Sequence, residues 1–281
     1  MKADTNALGN VVIAFIGGGQ MATALIAGLR RSGRSADSIL VVEPDAQQRS
    51  RLGERFGVQV FPSSTQELAR AGAVVWAVKP QVMEEAAKPV RDIVRSALHI
   101  SIVAGIATPL LQEWLQTDRV IRVMPNTPAL VGEGVTGMFA GPGAAPADRE
   151  LAHRIFAVTG HTFWVDADDR IDAVTAVSGS GPGYVFQFLA SFQAAAQALG
   201  FSEEQARDLV LRTCAGAVQQ ACAETTALTT LRDRVASKGG TTEAGLNVLT
   251  RYELPRAMTE AVGSAFARAR ELSNRQAAKP V

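Results

Sequence analysis

The sequence predicts an α/β fold, with a doubly wound, mostly parallel sheet in the first half of the chain and an all-helical second half. Three observations carry this. Short runs rich in valine and isoleucine alternate with helical patterns through the first half, and apolar runs that are continuous rather than alternating belong to strands covered on both faces. A glycine-rich turn follows the first of these runs. From Asp169 onward the strand pattern stops and helical periodicity takes over.

The strand runs are, in order, "VVIAFIG", "ILVVE", "VQVF", "AVVWAV", "HISIVAG" and "RVIRVMP". After them "VTGMFAG", a helix from Pro146 to Val158, and "HTFWVDA" extend the same sheet domain. The second half reads as helices over 182–199, 203–224, 228–236, 242–251 and 254–274. Ser202, followed by Glu203, Glu204 and Gln205, marks one helix start, with a capping hydroxyl and first-turn acids. The domain boundary is placed at 167/168, giving a dinucleotide-binding domain over 1–167 and a helical substrate and dimerisation domain over 168–281. The first ten residues and the last few read as loose ends.

Composition narrows the partners. At 281 residues the chain suits two domains, by the rule of about 100 to 200 residues each. Lysine and arginine total 28 against 27 aspartate and glutamate, so no overall field draws the molecule to nucleic acid or to an acidic membrane. Cys214 and Cys222 lie in a helical segment, about 12 Å apart at about 1.5 Å per residue, too far for a disulfide. With no signal or transit peptide, a reducing cytoplasm is the expected compartment. His99, His153 and His161 do not stand at metal-ligand spacings, so no metal is expected. The stretch from Ala173 to Phe201 has no charged residue. Its glutamines, the glycines between 179 and 183 and its mostly acidic flanks argue for a buried helix rather than a membrane span.

The turn after the first strand, "GGGQMA", fits the fingerprint G-x-G-x-x-A with Gly17, Gly19 and Ala22. In a Rossmann-type unit the first glycine permits the tight turn, the second lets the backbone approach a pyrophosphate, and the third small residue lets helix pack on sheet. The helix N-terminus then faces the phosphates. The second strand ends in Glu43, where a carboxylate accepts hydrogen bonds from a free ribose 2′-hydroxyl, as in NAD. The alternative is that Pro44 turns Glu43 away and Arg49 or Arg51 provides the charge for NADP.

"RVMPNTPALVGEG" from Arg122, "AVSGSGPGYVF" and "VASKGGTTEAGLNVL" closely resemble the pyrroline-5-carboxylate reductases, with "AVKPQ" at 77–81 and "SIVAG" at 101–105 also in place. The resemblance covers nearly the whole chain and implies reduction of 1-pyrroline-5-carboxylate to L-proline by NADPH or NADH. It implies a cofactor lying along Gly17, Gly18, Gly19, Gln20, Met21 and Ala22, then Ala77, Val78, Lys79 and Pro80, and Ala104 and Gly105. Ser64 then reaches the adenosine side and Asn126 the nicotinamide end. These stretches follow the carboxyl ends of strands, where open α/β sheets bind ligands. It also implies an interlocked homodimer with the active site between subunits. A helix without a polar face needs an enclosure that a small helical domain alone hardly supplies, which points the same way.

Consecutive main-chain N–H groups in a glycine turn that runs into a helix form a concave site for an anion. Gly239, Gly240, Thr241 and Thr242 make such a turn, and with the resemblance the anion is the substrate carboxylate. Ser237 and Thr242 hydroxyls add donors, and Thr242 is the catalytic candidate, bonding the ring nitrogen. Lys238 reads as a solvated neighbour. Glu224 and Asp168 match positions the family associates with substrate, though each can equally be a surface charge.

The reaction class follows from what the long helix lacks. Alcohol oxidation needs a base, and Pro182–Leu199 contains no lysine, histidine, aspartate or glutamate, with Tyr184 its only titratable group. A protonated cyclic imine asks only for orientation and a carboxylate clamp. Two alternatives stand beside this reading: reduction of another cyclic imine or keto acid, and a non-catalytic dinucleotide-binding redox sensor.

Overall fold

The computed structural model describes residues 11–277, and the side chains of 11–274. The loose ends expected at the two termini lie almost wholly outside that range. The chain forms two compact units, one running to Ser180 and resuming at Ala265, the other comprising Gly181–Ser264.

In the first unit eight strands, β1 (Val12–Ile16), β2 (Ile39–Val42), β3 (Gln59–Phe61), β4 (Ala71–Trp76), β5 (Leu98–Ser101), β6 (Val120–Met124), β7 (Gly134–Ala140) and β8 (Gly160–Trp164), make one sheet in the order β3-β2-β1-β4-β5-β6-β7-β8. All neighbours are parallel except β6 and β7. Strand order reverses beside β1, which creates a crevice at the carboxyl ends of β1 and β4. The continuous apolar runs are explained by two buried faces. Ile13 and Phe15 enter one core with Leu25, Ile26 and Leu29, whereas Ala14 and Ile16 enter another with Val74, Trp76 and Met83.

The helices of this unit are α1 (Gln20–Arg31), α2 (Ala46–Phe56), α3 (Met83–Ala87), α4 (Thr108–Leu115), α5 (Pro146–Ala157) and α6 (Arg170–Val174), the last continuing into a turn of π-helix at Thr175–Gly179. Contacts therefore divide the chain at Ser180 rather than at the expected 167/168. The physical reason is that α6 and the π turn are tied to the sheet: Asp172 pairs with the buried Arg122, Val174 packs on Gly137, and Asn126 donates to Ser178.

The second unit is helical, with α7 (Gly181–Ala198), α8 (Glu203–Ala223), α9 (Leu228–Val235), α10 (Thr241–Arg251) and the first part of α11 (Leu254–Ala277). Ser202 caps α8 reciprocally: its hydroxyl accepts from the Gln205 N–H at 3.2 Å, and its own N–H donates to Oε1 of Gln205 at 3.1 Å. None of the residues of α7 is buried by its own chain, and Phe186 and Leu199 are 65% and 82% exposed. Tyr184, Phe188 and Phe192 line an apolar groove with Leu249, Leu254 and Met258 of the same unit. Among the described residues no helix is long and apolar enough to cross a membrane.

Candidate functional site

The strand ends assemble the dinucleotide loop through main-chain bonds. Gly17 N–H donates to the Val42 carbonyl at 2.8 Å, and Ala77 N–H donates to the Ile16 carbonyl at 2.8 Å. Gly17 has φ +98°, and a Cβ there would lie 2.6 Å from the Ala77 carbonyl oxygen, so both the turn and the close crossing of β4 require glycine. Gly19, the residue before α1, faces open space where a Cβ would stand. The first bond of α1 runs from Thr23 N–H to the Gly19 carbonyl. The amides of Gln20, Met21 and Ala22 therefore precede the helical ladder and are available to a phosphate.

Both main-chain polar groups of Gly18 are held. Its N–H donates to Oε2 of Glu43 at 2.8 Å, and its carbonyl accepts from Nε2 of Gln48 at 2.6 Å and from the Thr23 hydroxyl at 3.3 Å. Gln48, on α2, was not singled out from the sequence; only a long-range side-chain contact reveals it. Oε1 of Glu43 accepts from the Asp45 N–H at 2.9 Å. Pro44 thus leaves the carboxylate facing the glycine loop. Arg49 spends Nη1 on the Glu43 and Pro44 carbonyl oxygens, whereas Arg51 and Arg55 line the cleft beside the loop with Gly19, Gln20 and Gln48.

The other cofactor candidates occupy neighbouring strand ends. Val78, Lys79 and Pro80 follow β4, with Lys79 exposed at the entrance to a short 3₁₀ turn. Ala104 and Gly105 follow β5. Gly105 is buried at φ +70°, and a Cβ there would meet Cβ of Leu272 at 3.0 Å. Ser64 follows β3 and is half-buried. Asn126, after β6, accepts from the Val135 N–H through Oδ1 at 2.8 Å and donates to the carbonyl and hydroxyl of Ser178 at 3.2 and 3.1 Å. Its amide therefore fastens the loop it begins.

Asp168 belongs to a buried polar cluster of this unit. Oδ1 accepts from the Thr108 hydroxyl at 2.6 Å and Oδ2 from the Thr108 N–H at 3.2 Å, so the carboxylate also caps α4. Arg122, 2% exposed, pairs with Asp168 at 3.2 Å and with Asp172 at 2.7 Å, and Ser273 donates to Asp172 at 3.1 Å. A guanidinium in an otherwise apolar strand must find such partners. That is the signal from which Arg122 can be read in "VIRVM". Asp168 is thus engaged with the sheet unit, and its oxygens brace Arg122 and Thr108.

The glycine-threonine turn stands in the helical unit. Gly239 has φ +73°, Gly240 precedes α10, and the Gly240 N–H donates to the Ser237 carbonyl at 2.9 Å. The Gly239 N–H donates to Oε2 of Glu243 at 2.6 Å. Ser237, Lys238 and Thr241 are exposed and Thr242 is half-buried. Glu224 ends α8. Its Oε2 accepts from Arg234 at 2.8 Å and from the Thr226 hydroxyl at 3.1 Å, and these bonds, Arg234 first, hold its carboxyl below the usual carboxylate range.

Among the described residues no cluster of three or more histidine, cysteine, aspartate or glutamate side chains gathers at metal-binding geometry. The open glycine at 19, the free first turn of α1 and the carboxylate at 43 fit a nicotinamide dinucleotide. The molecule is thereby placed in the class of oxidoreductases that join a Rossmann-type unit to a helical one. Similarity to known proteins narrows this. Residues 168–272 match the family model for pyrroline-5-carboxylate reductase dimerisation, and residues 12–105 that for NADP oxidoreductase, coenzyme F420-dependent. A pyrroline-5-carboxylate reductase of Pseudomonas aeruginosa is 39% identical over 93% of this chain and 96% of its own, and one of Vibrio alginolyticus is 38% identical over 92% and 97%. A solved pyrroline-5-carboxylate reductase structure from Coxiella burnetii superposes with a TM-score of 0.88 at 35% identity, covering 94% of this chain and 99% of that one. One from Plasmodium falciparum, with NADP bound, gives 0.85 at 28% identity, covering 94% and 98%. The chain belongs to the pyrroline-5-carboxylate reductase family.

Proposed function

We propose that this protein reduces 1-pyrroline-5-carboxylate to L-proline, the last step of proline biosynthesis, with a nicotinamide dinucleotide as reductant. The observation that supports the reading is the coexistence, in a member of this family, of a glycine loop leading into a helix with free first-turn amides and a glycine-threonine turn at a second helix entrance. The bound reduced nicotinamide supplies the hydride. The chain's own residues do the rest.

Gly17, Gly19 and the amides of Gln20, Met21 and Ala22 hold the pyrophosphate, while Glu43 and Ser64 serve the adenosine side. Gly18, Ala77, Val78, Lys79, Pro80, Ala104, Gly105 and Asn126 shape the crevice. In the helical part, Ser237, Gly239, Gly240 and Thr241 clamp the substrate carboxylate, and the Thr242 hydroxyl hydrogen-bonds the ring nitrogen. A protonated C=N carbon accepts hydride without a strong general acid, so orientation is the main contribution. The composition of α7 agrees, since Tyr184 is its one titratable side chain. Glu224, held by Arg234, lies on the substrate side, and Asp168 acts as a positioning residue through Thr108 and Arg122.

The part from residue 168 onward serves the substrate and forms a homodimer, which gives the exposed aromatic residues of α7 their cover; the expected compartment is the cytoplasm. The test is an assay of purified protein with 1-pyrroline-5-carboxylate and NADH or NADPH, following the loss of reduced-nicotinamide absorbance and the appearance of proline. Absence of turnover with both cofactors removes the proposal. Turnover only with a different ring size reassigns the substrate.

A further inference from the structure

We infer that Glu43 makes this protein prefer NADH to NADPH. The inference rests on the cofactor loop proposed above and deepens it by settling which dinucleotide that loop takes. A carboxylate at the end of the second strand selects against a 2′-phosphate only if it stays in place when the phosphate arrives. A side chain free to swing outward would let an arginine take over.

The geometry here holds it. Oε2 of Glu43 accepts from the Gly18 N–H at 2.8 Å, and Oε1 accepts from the Asp45 N–H at 2.9 Å. Each oxygen is therefore anchored by one backbone amide. The stem is confined as well, because a Cβ on Gly18 would come within 3.3 Å of both Cβ and Cγ of Glu43. Swinging away would leave the half-buried loop without two charge-assisted bonds and would unseat the residue next to Gly19. An ionised carboxylate offers about four acceptor positions, so two amide bonds leave capacity for the 2′- and 3′-hydroxyls of a ribose.

Among the described residues no cation pairs with the Glu43 carboxylate: Arg49 is tied through Nη1 to the carbonyl oxygens of Glu43 and Pro44, and Arg51 and Arg55 line the cleft with Gly19, Gln20 and Gln48. A 2′-phosphate beside Glu43 meets a fixed negative charge that is already hydrogen-bonded in its place, whereas a 2′-hydroxyl meets an acceptor.

The experiment compares NADH with NADPH on the full-length protein and on Glu43→Gln and Glu43→Ser. Dissociation constants are read by calorimetry in the absence of substrate, and kcat/KM with 1-pyrroline-5-carboxylate. For the unmodified protein, NADH is expected to bind at least tenfold more tightly and to give at least a tenfold higher kcat/KM. Glu43→Gln keeps an acceptor for the Gly18 amide but removes the charge, and is expected to narrow the binding ratio at least fivefold; Glu43→Ser narrows it further and weakens both cofactors.

An unmodified protein that binds NADPH as well as or better than NADH overturns the inference. So does a Glu43→Gln protein with an unchanged ratio. Both readings are ratios within one protein, so a general loss of loop stability in a variant does not mimic the effect. Tighter binding of NADH without turnover of 1-pyrroline-5-carboxylate leaves the inference standing while removing the proposed substrate.

Discussion

Each unit carries a glycine turn that feeds a helix, and in each a carboxylate accepts a hydrogen bond from a glycine N–H, yet the two turns are built differently. At Gly17–Gly19 the carboxylate comes from the neighbouring strand, Gln48 and Thr23 hold the carbonyl of the same residue, and the main chain at Ala77, just after β4, crosses within contact. At Ser237–Gly240 the carboxylate is Glu243 from the first turn of the same helix, and a Cβ on Gly239 would meet nothing within 4 Å. The first turn is rigid because distant parts of the fold define it. The second is held by residues of its own segment, which fits the substrate role proposed for it.

Substituting the two positive-φ glycines tests that difference directly, and the largest effect is expected here. Gly17→Ala adds the strain of a left-handed conformation, about 1–2 kcal/mol, to a collision with the Ala77 carbonyl that only main-chain movement can relieve. It should weaken dinucleotide binding at least 100-fold, measured by calorimetry, and lower the denaturant midpoint. Gly239→Ala carries the strain alone and should cost about 1–2 kcal/mol with dinucleotide binding intact. Equal losses would show that the two turns are equally constrained.

Acid separates the units next. His99, buried in β5, takes the Trp76 indole N–H on Nδ1 at 3.1 Å, and burial lowers its pKa to about 4 from the ordinary 6.5. The unfolded chain therefore binds this proton more readily than the folded one, so stability is full above pH 6.5 and falls as pH drops toward 4. The loss is on the order of 3 kcal/mol. In the helical unit the half-buried Glu224 carboxyl is held below the usual carboxylate range, first by Arg234, so its contribution is lost only in more acid solution, as pH falls through its lowered value. All 3 tryptophans lie in the sheet unit, so their fluorescence in denaturant titrations at pH 7 and pH 4.5 reports that unit alone. His99→Gln, which keeps an acceptor for Trp76, should flatten the difference; an unchanged slope assigns the acid sensitivity elsewhere.

All eight strands are legible in the sequence, and those covered on both faces, such as β1, β2 and β4, write their state locally as continuous apolar runs. The Ser202 cap and the five helices of the second half are legible because capping residues and helical periodicity are local too. What it missed is made of long-range side-chain bonds: Gln48 on the Gly18 peptide, Arg122 between Asp168 and Asp172, and Ser273 closing on Asp172. Asp168 could be placed near the junction of the two parts, but its engagement with Thr108 could not be foreseen, since nothing in either neighbourhood encodes the other. The uncharged stretch after Ala173, by contrast, did indicate that α7 needs more cover than a small helical domain supplies, and none of its residues is buried by its own chain.

Thr242 sharpens the comparison at the level of chemistry. If the first turn binds the dinucleotide and the second the imine, Thr242→Ala should lower kcat about 10- to 100-fold, the equivalent of about 1–3 kcal/mol for a lost hydrogen bond to the reacting ring. The dissociation constant for the reduced dinucleotide should stay within twofold. A matching loss of dinucleotide affinity would show that the two turns do not divide the labour as proposed.

The smallest expected effect tests whether the two carboxylates play the same part. Glu43 accepts from the Gly18 N–H across the fold, and Glu243 accepts from the Gly239 N–H within its own turn. If the substrate carboxylate binds the second turn as proposed, it competes with Glu243 for Gly239, whereas the Glu43 bond has no such competitor. Glu243→Gln replaces a charged acceptor by a neutral, weaker one on the same stem. The competitor is thereby weakened and a like charge removed from beside the incoming carboxylate. KM for 1-pyrroline-5-carboxylate should fall about two- to fivefold at unchanged kcat, a change of about 0.5–1 kcal/mol. A rise in KM would mean that Glu243 holds its turn as Glu43 holds the other, and that the substrate acid is taken by the remaining donors of the turn rather than by the amide of Gly239.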